Sequence, residues 1–173
     1  WNTPVPVASF RTTFQFHLTN AQADGCAFVL QNNAPTALGG PGGGLGYGPD
    51  PGVNAASIPN SVCLKFDLYN NAGEGNNSTG VFTGGVSPFA PANDLNGTGI
   101  DLHIGNIFRA DVTYNGTQLT VKITDTVTNA TVTHNYTVDI PATLGATTGY
   151  VGFSGGTGGL TAIQEILTWT YGL

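Results

Sequence analysis

Positively charged side chains are the scarcest feature of this sequence. Its 173 residues include four Lys and Arg against ten Asp and Glu, which gives a formal net charge of −6 and a pI near 4.5. A basic surface patch cannot be built from four cations, and this argues against nucleic acid as a partner. Binding to an anionic membrane surface is disfavoured for the same reason.

The sequence also lacks helical and membrane-spanning patterns. No stretch keeps the three- and four-residue apolar spacing of a helix, because Gly, Pro, Thr and Val interrupt every candidate. No apolar run reaches spanning length, and no signal-peptide pattern occurs. The first residue is Trp1 rather than Met, so we expect a processed product, an excised segment or a partial chain.

Recognisable catalytic constellations are missing as well. Glu74 and Glu165 are the only glutamates, whereas a glycoside hydrolase needs paired carboxylates across the scissile bond. The three histidines, His17, His103 and His134, lie far apart within strand or turn patterns, so we expect structural roles for them. Neither a Gly-x-Ser-x-Gly elbow nor a Gly-Lys-Ser/Thr phosphate loop is present. These absences favour a protein that is not an enzyme.

Cysteine is limited to Cys26 and Cys63, and both lie inside strand patterns. If those strands are neighbours, one disulfide is expected, which fits the low charge and Thr/Asn-rich composition of an extracytoplasmic protein. Two buried free thiols are the alternative.

Glycine and strand-forming residues are what the sequence has in abundance. There are 26 Gly residues, 40% of all residues are hydrophobic, and short alternating runs are separated by turn residues. Asn115 and Gly116 predict the turn of a hairpin. Predicted strands cover residues 10–18, 26–31, 62–67, 81–83, 107–114, 118–125, 131–138, 150–154 and 163–171. This pattern predicts an all-β sandwich and one domain spanning residues 1–173.

One stretch combines a strand with a polar loop. Residues 62–67 alternate, with Val, Leu and Phe on one face and Cys, Lys and Asp on the other. The periodicity then stops, and Asp67, Asn71 and Glu74 follow in close succession. Carboxylate and amide oxygens beside flexible backbone suit a hard cation such as Ca²⁺. The alternative is an ordinary polar loop after a strand.

Four segments resemble motifs of the legume-type (L-type) lectin domain, in its bacterial branch. Residues 23–28 (Ala-Asp-Gly-Cys-Ala-Phe) are similar to an Ala-Asp-Gly-x-Ala-Phe loop, and residues 42–46 to a Gly-Gly-x-Leu-Gly loop. Residues 66–71 resemble the family's metal loop, and residues 151–158 with 166–171 resemble its closing strands. Each motif is weak alone, but all four occur in the family's order.

The resemblance implies a jelly-roll β-sandwich, concanavalin A-like, with sugar bound at one edge of the concave sheet. It implies one Ca²⁺ held by Asp67, the Tyr69 carbonyl, Asn71 and Glu74, with Asn76 as a rival to Glu74. It also implies a cis peptide bond between residues 23 and 24. The implied carbohydrate-binding residues are Asp24, Gly43, Gly44, Asn71, Gly158, Gly159 and Leu160. Tyr47 and Tyr69 are candidates for an aromatic ring over the sugar.

The sequence also departs from the family. Legume members bind a second, transition metal through residues whose positions are taken here by Lys65 and Ser78, so we expect that metal to be absent. The ammonium of Lys65 is expected to occupy its space. The chain starts at a segment that the family places after its opening strands, so we expect an N-terminally incomplete domain with two open sheet edges.

Two functions follow as expectations. The first is a non-catalytic, calcium-dependent carbohydrate-binding lectin module, secreted or at the cell surface, whose partners are glycans or polysaccharides. The second is a structural subunit of an extracellular filament or surface layer, formed as a homo-oligomer by strand exchange through the open edges.

Overall fold

The computed structural model describes residues 2–173, which form two antiparallel sheets. The strands are β1 Val5–Pro6, β2 Phe10–Thr19, β3 Gly25–Gln31, β4 Ser61–Asp67, β5 Ser78–Thr83, β6 Asn93–Asp94, β7 Ile107–Tyr114, β8 Gln118–Asp125, β9 Thr131–Thr137, β10 Thr148–Gly156 and β11 Ile163–Gly172. One sheet has six strands in the order β1-β10-β3-β4-β5-β6, and the other has five in the order β11-β2-β7-β8-β9. The predicted all-β sandwich is confirmed.

One short helix, α1 (Ile140–Leu144), lies between β9 and β10, where the sequence predicts only a break. The Asp139 side chain accepts a hydrogen bond from the Ala142 N–H at 3.0 Å, which satisfies a free donor of the first turn. Gly145 ends the helix at a φ of +69°. Five residues are too few for the three- and four-residue spacing to be visible in the sequence. Across residues 2–173 no helix has the length and apolarity needed to cross a membrane.

The core between the sheets is built from alternating apolar residues, with phenylalanines at its centre. Phe16 is fully buried, and its ring centroid lies 4.5 Å from that of Phe66 and 5.6 Å from that of Phe108. Phe14 packs edge-on against Phe66 at 5.8 Å. Because these rings come from β2, β4 and β7, they join the two sheets through hydrophobic and aromatic contacts.

The predicted disulfide between Cys26 and Cys63 is wrong. The two strands are neighbours, but Cys26 pairs with Phe66 and Cys63 pairs with Val29, so the cysteines are three positions out of register. Side chains alternate between the faces of a strand. Cys26 therefore packs in the core between the sheets, whereas Cys63 packs on the opposite face beneath the 37–58 loop region. Both are buried free thiols.

The central strands bring three loops together at one end of the six-stranded sheet. Gly25 at the start of β3 lies opposite Asp67 at the end of β4 and opposite Gly156 at the end of β10. The loops next to these residues must therefore emerge side by side. The Leu68 N–H donates to the Asp24 carbonyl at 2.7 Å, and the Asp24 N–H donates to the Gly156 carbonyl at 3.1 Å.

The strand β11 lies at one edge of the five-stranded sheet. Among residues 2–173, β11 pairs on one side only, with β2. Its exposed apolar side chains are Ile163, Ile166 and Leu167. An open strand edge is a template for pairing with a further strand.

We expect Phe16→Ala to destabilise the fold by about 3–5 kcal/mol, because truncating a fully buried phenylalanine leaves a cavity. Urea unfolding followed by tryptophan fluorescence measures the change. The matched control is Val127→Ala on an exposed turn, expected within about 0.5 kcal/mol of the parent. Equal effects of the two substitutions would contradict the central position of Phe16.

Candidate functional site

A pocket of about 470 Å³ opens where the three loops meet a fourth, the glycine-rich loop between β3 and β4. Its lining is mostly small residues and polar groups. The lining residues are Ala23, Asp24, Pro41, Gly42, Gly43, Asp50, Val53, Tyr69, Asn71, Thr157, Gly158, Gly159 and Leu160. The structure thus brings Asp24, Gly43, Asn71 and residues 158–160 together, although they are far apart in sequence.

Asp24 is the buried carboxylate of the pocket. Its residue is 5% exposed, and its Oδ1 atom has no hydrogen-bond partner among residues 2–173. Burial raises the pKa of Asp24, the nearby charge of Asp50 raises it further, and a hydrogen bond with the Asn71 side chain opposes the rise. The Ala23–Asp24 peptide bond is cis, as expected. A buried, unpartnered carboxylate oxygen is costly unless a ligand donates to it.

Gly43 lies directly against the Asn71 side chain. A Cβ atom at Gly43 would lie 2.5 Å from the Asn71 Nδ2 atom and 2.6 Å from its Cγ atom. The 3₁₀ turn Gly42–Gly44 therefore approaches the Asn71 amide directly. Gly44 is not part of the pocket lining. A Cβ atom added to Gly44 would lie 3.4 Å from the Asp50 nitrogen and 3.4 Å from the Pro49 carbonyl carbon. Gly43 is thus the member of this turn that faces both the pocket and Asn71.

The loop after β10 forms the opposite wall. The Gly42 N–H donates to the Thr157 carbonyl at 3.2 Å, which ties this loop to the glycine-rich one. The Gly158 N–H donates to the Leu160 carbonyl at 3.1 Å, which shapes a tight turn. Leu160 is 44% exposed and supplies an apolar surface at the rim.

The two tyrosines considered as rings over a sugar differ in exposure. Tyr47 is fully buried, and its hydroxyl donates to the Phe82 carbonyl at 3.2 Å and accepts from the Gly85 N–H at 3.1 Å. The hypothesis that Tyr47 covers a sugar is wrong, because its ring is buried with Cys63 and Phe82 beneath the 37–58 loop region. Tyr69 is 43% exposed and lines the pocket.

The predicted metal loop follows β4 directly. Asp67 is 1% exposed, and its Oδ1 atom accepts a hydrogen bond from the Tyr69 N–H at 3.2 Å. Glu74 is 5% exposed, and its two oxygens accept from the Asn71 N–H at 3.0 Å and the Ala72 N–H at 2.6 Å. Both carboxylates are therefore held by loop backbone, one at each end of the loop.

The chemistry of this loop fits a hard cation. Burial raises the pKa of Asp67 to about 6; the Lys65 ammonium opposes the rise, and the nearby Glu74 carboxylate contributes to it. The two buried carboxylates, Asp67 and Glu74, are close enough to repel each other, and carboxylate oxygens are ligands that a hard cation prefers. Among residues 2–173 no cluster of three or more His, Cys, Asp or Glu could hold a metal. The predicted set has only two carboxylates, so its remaining oxygens would come from Asn71 and the Tyr69 carbonyl.

The residues at the second metal position do not fit a transition metal. The Lys65 Nζ atom lies 2.6 Å from Asp67 Oδ2 and 2.9 Å from the Phe89 carbonyl oxygen, and the side chain is fully buried. It also lies 5.5 Å from the Phe82 ring centroid. Ser78 pairs with Asp67 across the strands, and its buried hydroxyl has no hydrogen-bond partner among residues 2–173. An ammonium and a neutral hydroxyl do not form a donor set for a transition metal.

The histidines take part in other contacts. His17 lies 3.3 Å from the exposed Glu165 and 3.0 Å from the Gly105 carbonyl oxygen. His103 lies 2.6 Å from the Ala21 carbonyl oxygen. Burial lowers the pKa of His134. None of the three histidines lines the pocket.

Asp50 is the pocket residue that the sequence reasoning missed. It lies between Pro49 and Pro51, and together with Val53 it lines the pocket. The sequence does contain a sign of it: a carboxylate held between two prolines just after a glycine-rich loop is typical of a turn with a fixed polar side chain. Its position over the pocket depends on how the long loop folds back, which the glycine run does not reveal.

These features define a class of protein: an all-β sandwich with a glycine-lined pocket on loops at one end of a sheet. The legume lectin domain family matches residues 1–173, and the chain belongs to this family. A relative, Agglutinin-2 of Cladrastis kentukea, is 29% identical over 175 residues. That alignment covers 95% of this chain and 58% of the relative's length.

Solved lectin structures share the fold. The acidic lectin of winged bean, complexed with methyl-α-D-galactose, superposes with a TM-score of 0.78 at 21% identity, covering 98% of this chain and 75% of that one. Lectin I-B4 of Griffonia simplicifolia, in a metal-free form, gives 0.77 at 24% identity, covering 100% and 79%. A lectin of Bauhinia forficata in complex with GalNAc gives 0.76 at 23% identity, covering 99% and 76%.

We expect Lys65→Met to lower the free energy of unfolding by about 3–5 kcal/mol in EDTA, because it leaves the buried Asp67 carboxylate without its charged partner. Urea unfolding in EDTA measures the loss. The control is Lys122→Met on an exposed position of β8, expected to change stability by less than about 0.5 kcal/mol. A loss at Lys65 no larger than at Lys122 would show that the ion pair has no structural role.

Proposed function

We propose that this chain is a non-catalytic, calcium-dependent carbohydrate-binding lectin module. One observation carries the proposal: Asp24 Oδ1 is buried, unpartnered among the described residues, and faces a pocket that Gly43 and Asn71 also line. A sugar hydroxyl is a neutral donor that can satisfy such an oxygen without introducing charge. Charge-assisted hydrogen bonds of this kind are stronger than neutral ones.

Different groups of the pocket would bind different parts of a sugar. Asp24 would accept hydrogen bonds from sugar hydroxyls, while the Gly43 N–H and the Asn71 side-chain amide would donate to sugar oxygens. Tyr69 and Leu160 would contact the apolar face of the ring, since both are exposed at the pocket. Gly158 and Gly159 would let the sugar approach the backbone of the loop after β10, because neither residue has a side chain.

A single calcium ion would be held by Asp67, the Tyr69 carbonyl, Asn71 and Glu74. Bound there, the cation supplies positive charge that offsets the two carboxylates and orders the loop. Asn71 belongs to both the metal loop and the pocket, so loop order and sugar binding are linked through this residue. Lys65 would provide the only other positive charge at Asp67, in place of a second metal.

Two further properties complete this proposal. We place the protein outside the cytoplasm, at the cell surface or secreted, on the basis of its low charge and Thr/Asn-rich composition. The assignment to the bacterial branch of the family rests on the four sequence motifs. One domain spanning residues 1–173 would carry the whole site.

The open edge of β11 favours a second candidate function, as the structural subunit of an extracellular filament or surface layer. Exposed Ile163, Ile166 and Leu167 on an edge strand are suited to pairing with a strand of another copy. Electron microscopy of the native material tests this function. Ordered polymers with exchanged strands would support it, and dispersed monomers or dimers would count against it.

The dependence of sugar binding on calcium can be tested directly. We expect isothermal titration against a glycan panel to show binding in Ca²⁺ and a loss of at least about tenfold in affinity after EDTA treatment, because the loop that carries Asn71 loses its cation. The panel includes galactose, GalNAc and fucose, because solved lectins of this fold are in complex with GalNAc or with methyl glycosides of galactose and fucose. Added Ca²⁺ should restore the affinity. Affinity unchanged by EDTA, or no binding across the panel, would refute the proposal.

The role of Asp24 in sugar binding can be tested by substitution. We expect Asp24→Asn to weaken sugar binding by roughly 10- to 100-fold, because the substitution removes a charged acceptor while keeping side-chain size. The matched control is Glu165→Gln, which removes the same charge from an exposed position outside the pocket. Thermal unfolding of both variants shows whether they are folded. Binding by Asp24→Asn equal to that of the control would exclude Asp24 from the site.

A further inference from the structure

Asp50 is a second carboxylate fixed at the pocket. Its backbone is anchored by two hydrogen bonds with Asn54: the Asp50 N–H donates at 2.8 Å, and the Asp50 carbonyl accepts at 2.9 Å. Pro49 and Pro51 restrict the chain on either side. Asp50 is partly exposed, so its carboxylate meets both the pocket and water.

The two carboxylates face the same point of the pocket. A Cβ atom added to Gly42 would clash with the Asp50 Oδ2 atom and would lie 3.9 Å from the Asp24 Oδ1 atom. The charge of Asp50 contributes to the raised pKa of Asp24, which agrees with this proximity. A ligand that reaches Asp24 therefore also comes close to Asp50.

Among residues 2–173 no cationic side chain lines the pocket beside this pair. Within the described chain, the pocket lining contains no Lys, Arg or His. Arg109 is hydrogen-bonded to Asp111, and Lys65 to Asp67. Arg11 and Lys122 lie on strands of the five-stranded sheet, whereas the pocket lies at the end of the six-stranded one. Asp50 is also separate from the proposed calcium ligands.

We propose that Asp50 makes the pocket select sugars by charge, favouring a sugar that carries a protonated amine over its neutral form, and the neutral form over an acidic one. This inference rests on the proposed function. A protonated amine donates charge-assisted hydrogen bonds to Asp50 while the ring hydroxyls donate to Asp24. A sugar carboxylate would meet two like charges, and the donor side chains of the described lining, Tyr69, Asn71 and Thr157, are all neutral.

The test is a titration of the calcium-loaded protein with methyl glycosides of galactose, glucose and mannose. Each is used with a hydroxyl, an amine or a carboxylate at C6, together with the 2-amino-2-deoxy forms, at a pH low enough to protonate the amines. We expect the best-bound amine to exceed its neutral analogue by about tenfold. In Asp50→Asn that preference should fall to within about twofold, and the acidic sugars should gain affinity.

Glu165→Gln serves as the charge-matched control and should keep the preference of the parent. Three results would overturn the inference. Sugar binding by the parent without any ranking by charge overturns the role of Asp50 while the lectin function stands. If Asp50→Asn keeps the parent's preference for amine over neutral and acidic sugars, the role of Asp50 is also overturned while the lectin function stands. Failure of the parent to bind any of these glycosides, or any glycan of the wider panel, overturns the lectin proposal along with it.

Discussion

The site depends on the close backbone packing at Gly25. Its φ is +138°, and a Cβ atom there would collide with the Phe66 carbonyl oxygen. Glycine alone tolerates this conformation and this approach. Gly25 lies in register with Asp67 on one side and Gly156 on the other, so it sets the spacing of the three strand ends. The loops that carry Asp24, Asn71 and Gly158 are positioned by that spacing.

Charge in the site is arranged in two layers. Below the pocket, Lys65 and Asp67 form a fully buried ion pair, and Glu74 is hydrogen-bonded to the loop backbone. At the pocket surface, Asp24 and Asp50 carry negative charge without a cationic side chain near them. Buried ions are stable only with partners, so the lower layer is structural. The unpartnered oxygen of the upper layer points to recognition of an external donor.

Much of the fold was predictable because strand alternation is a local property. The hairpin of β7 and β8, the apolar face of β2 and the strand at residues 62–67 all follow from side chains that alternate with period two. The short helix α1 was missed because its five residues carry capping signals but no periodicity. Asp24, Gly43 and Asn71 were found through motif resemblance, and the structure places them around one pocket.

The sequence by itself determined the all-β class, the positions of the longer strands and the family, because alternation, turn residues and ordered motifs carry this information; the two-residue strands β1 and β6 are too short to show alternation. Only the tertiary structure decided which side chains meet. Strand register put Cys26 and Cys63 on opposite faces of one sheet, and the return of the long loop buried Tyr47 and brought Asp50 to the pocket. Both outcomes depend on contacts between residues distant in sequence, and a period of two does not encode the offset between strands or the path of a loop.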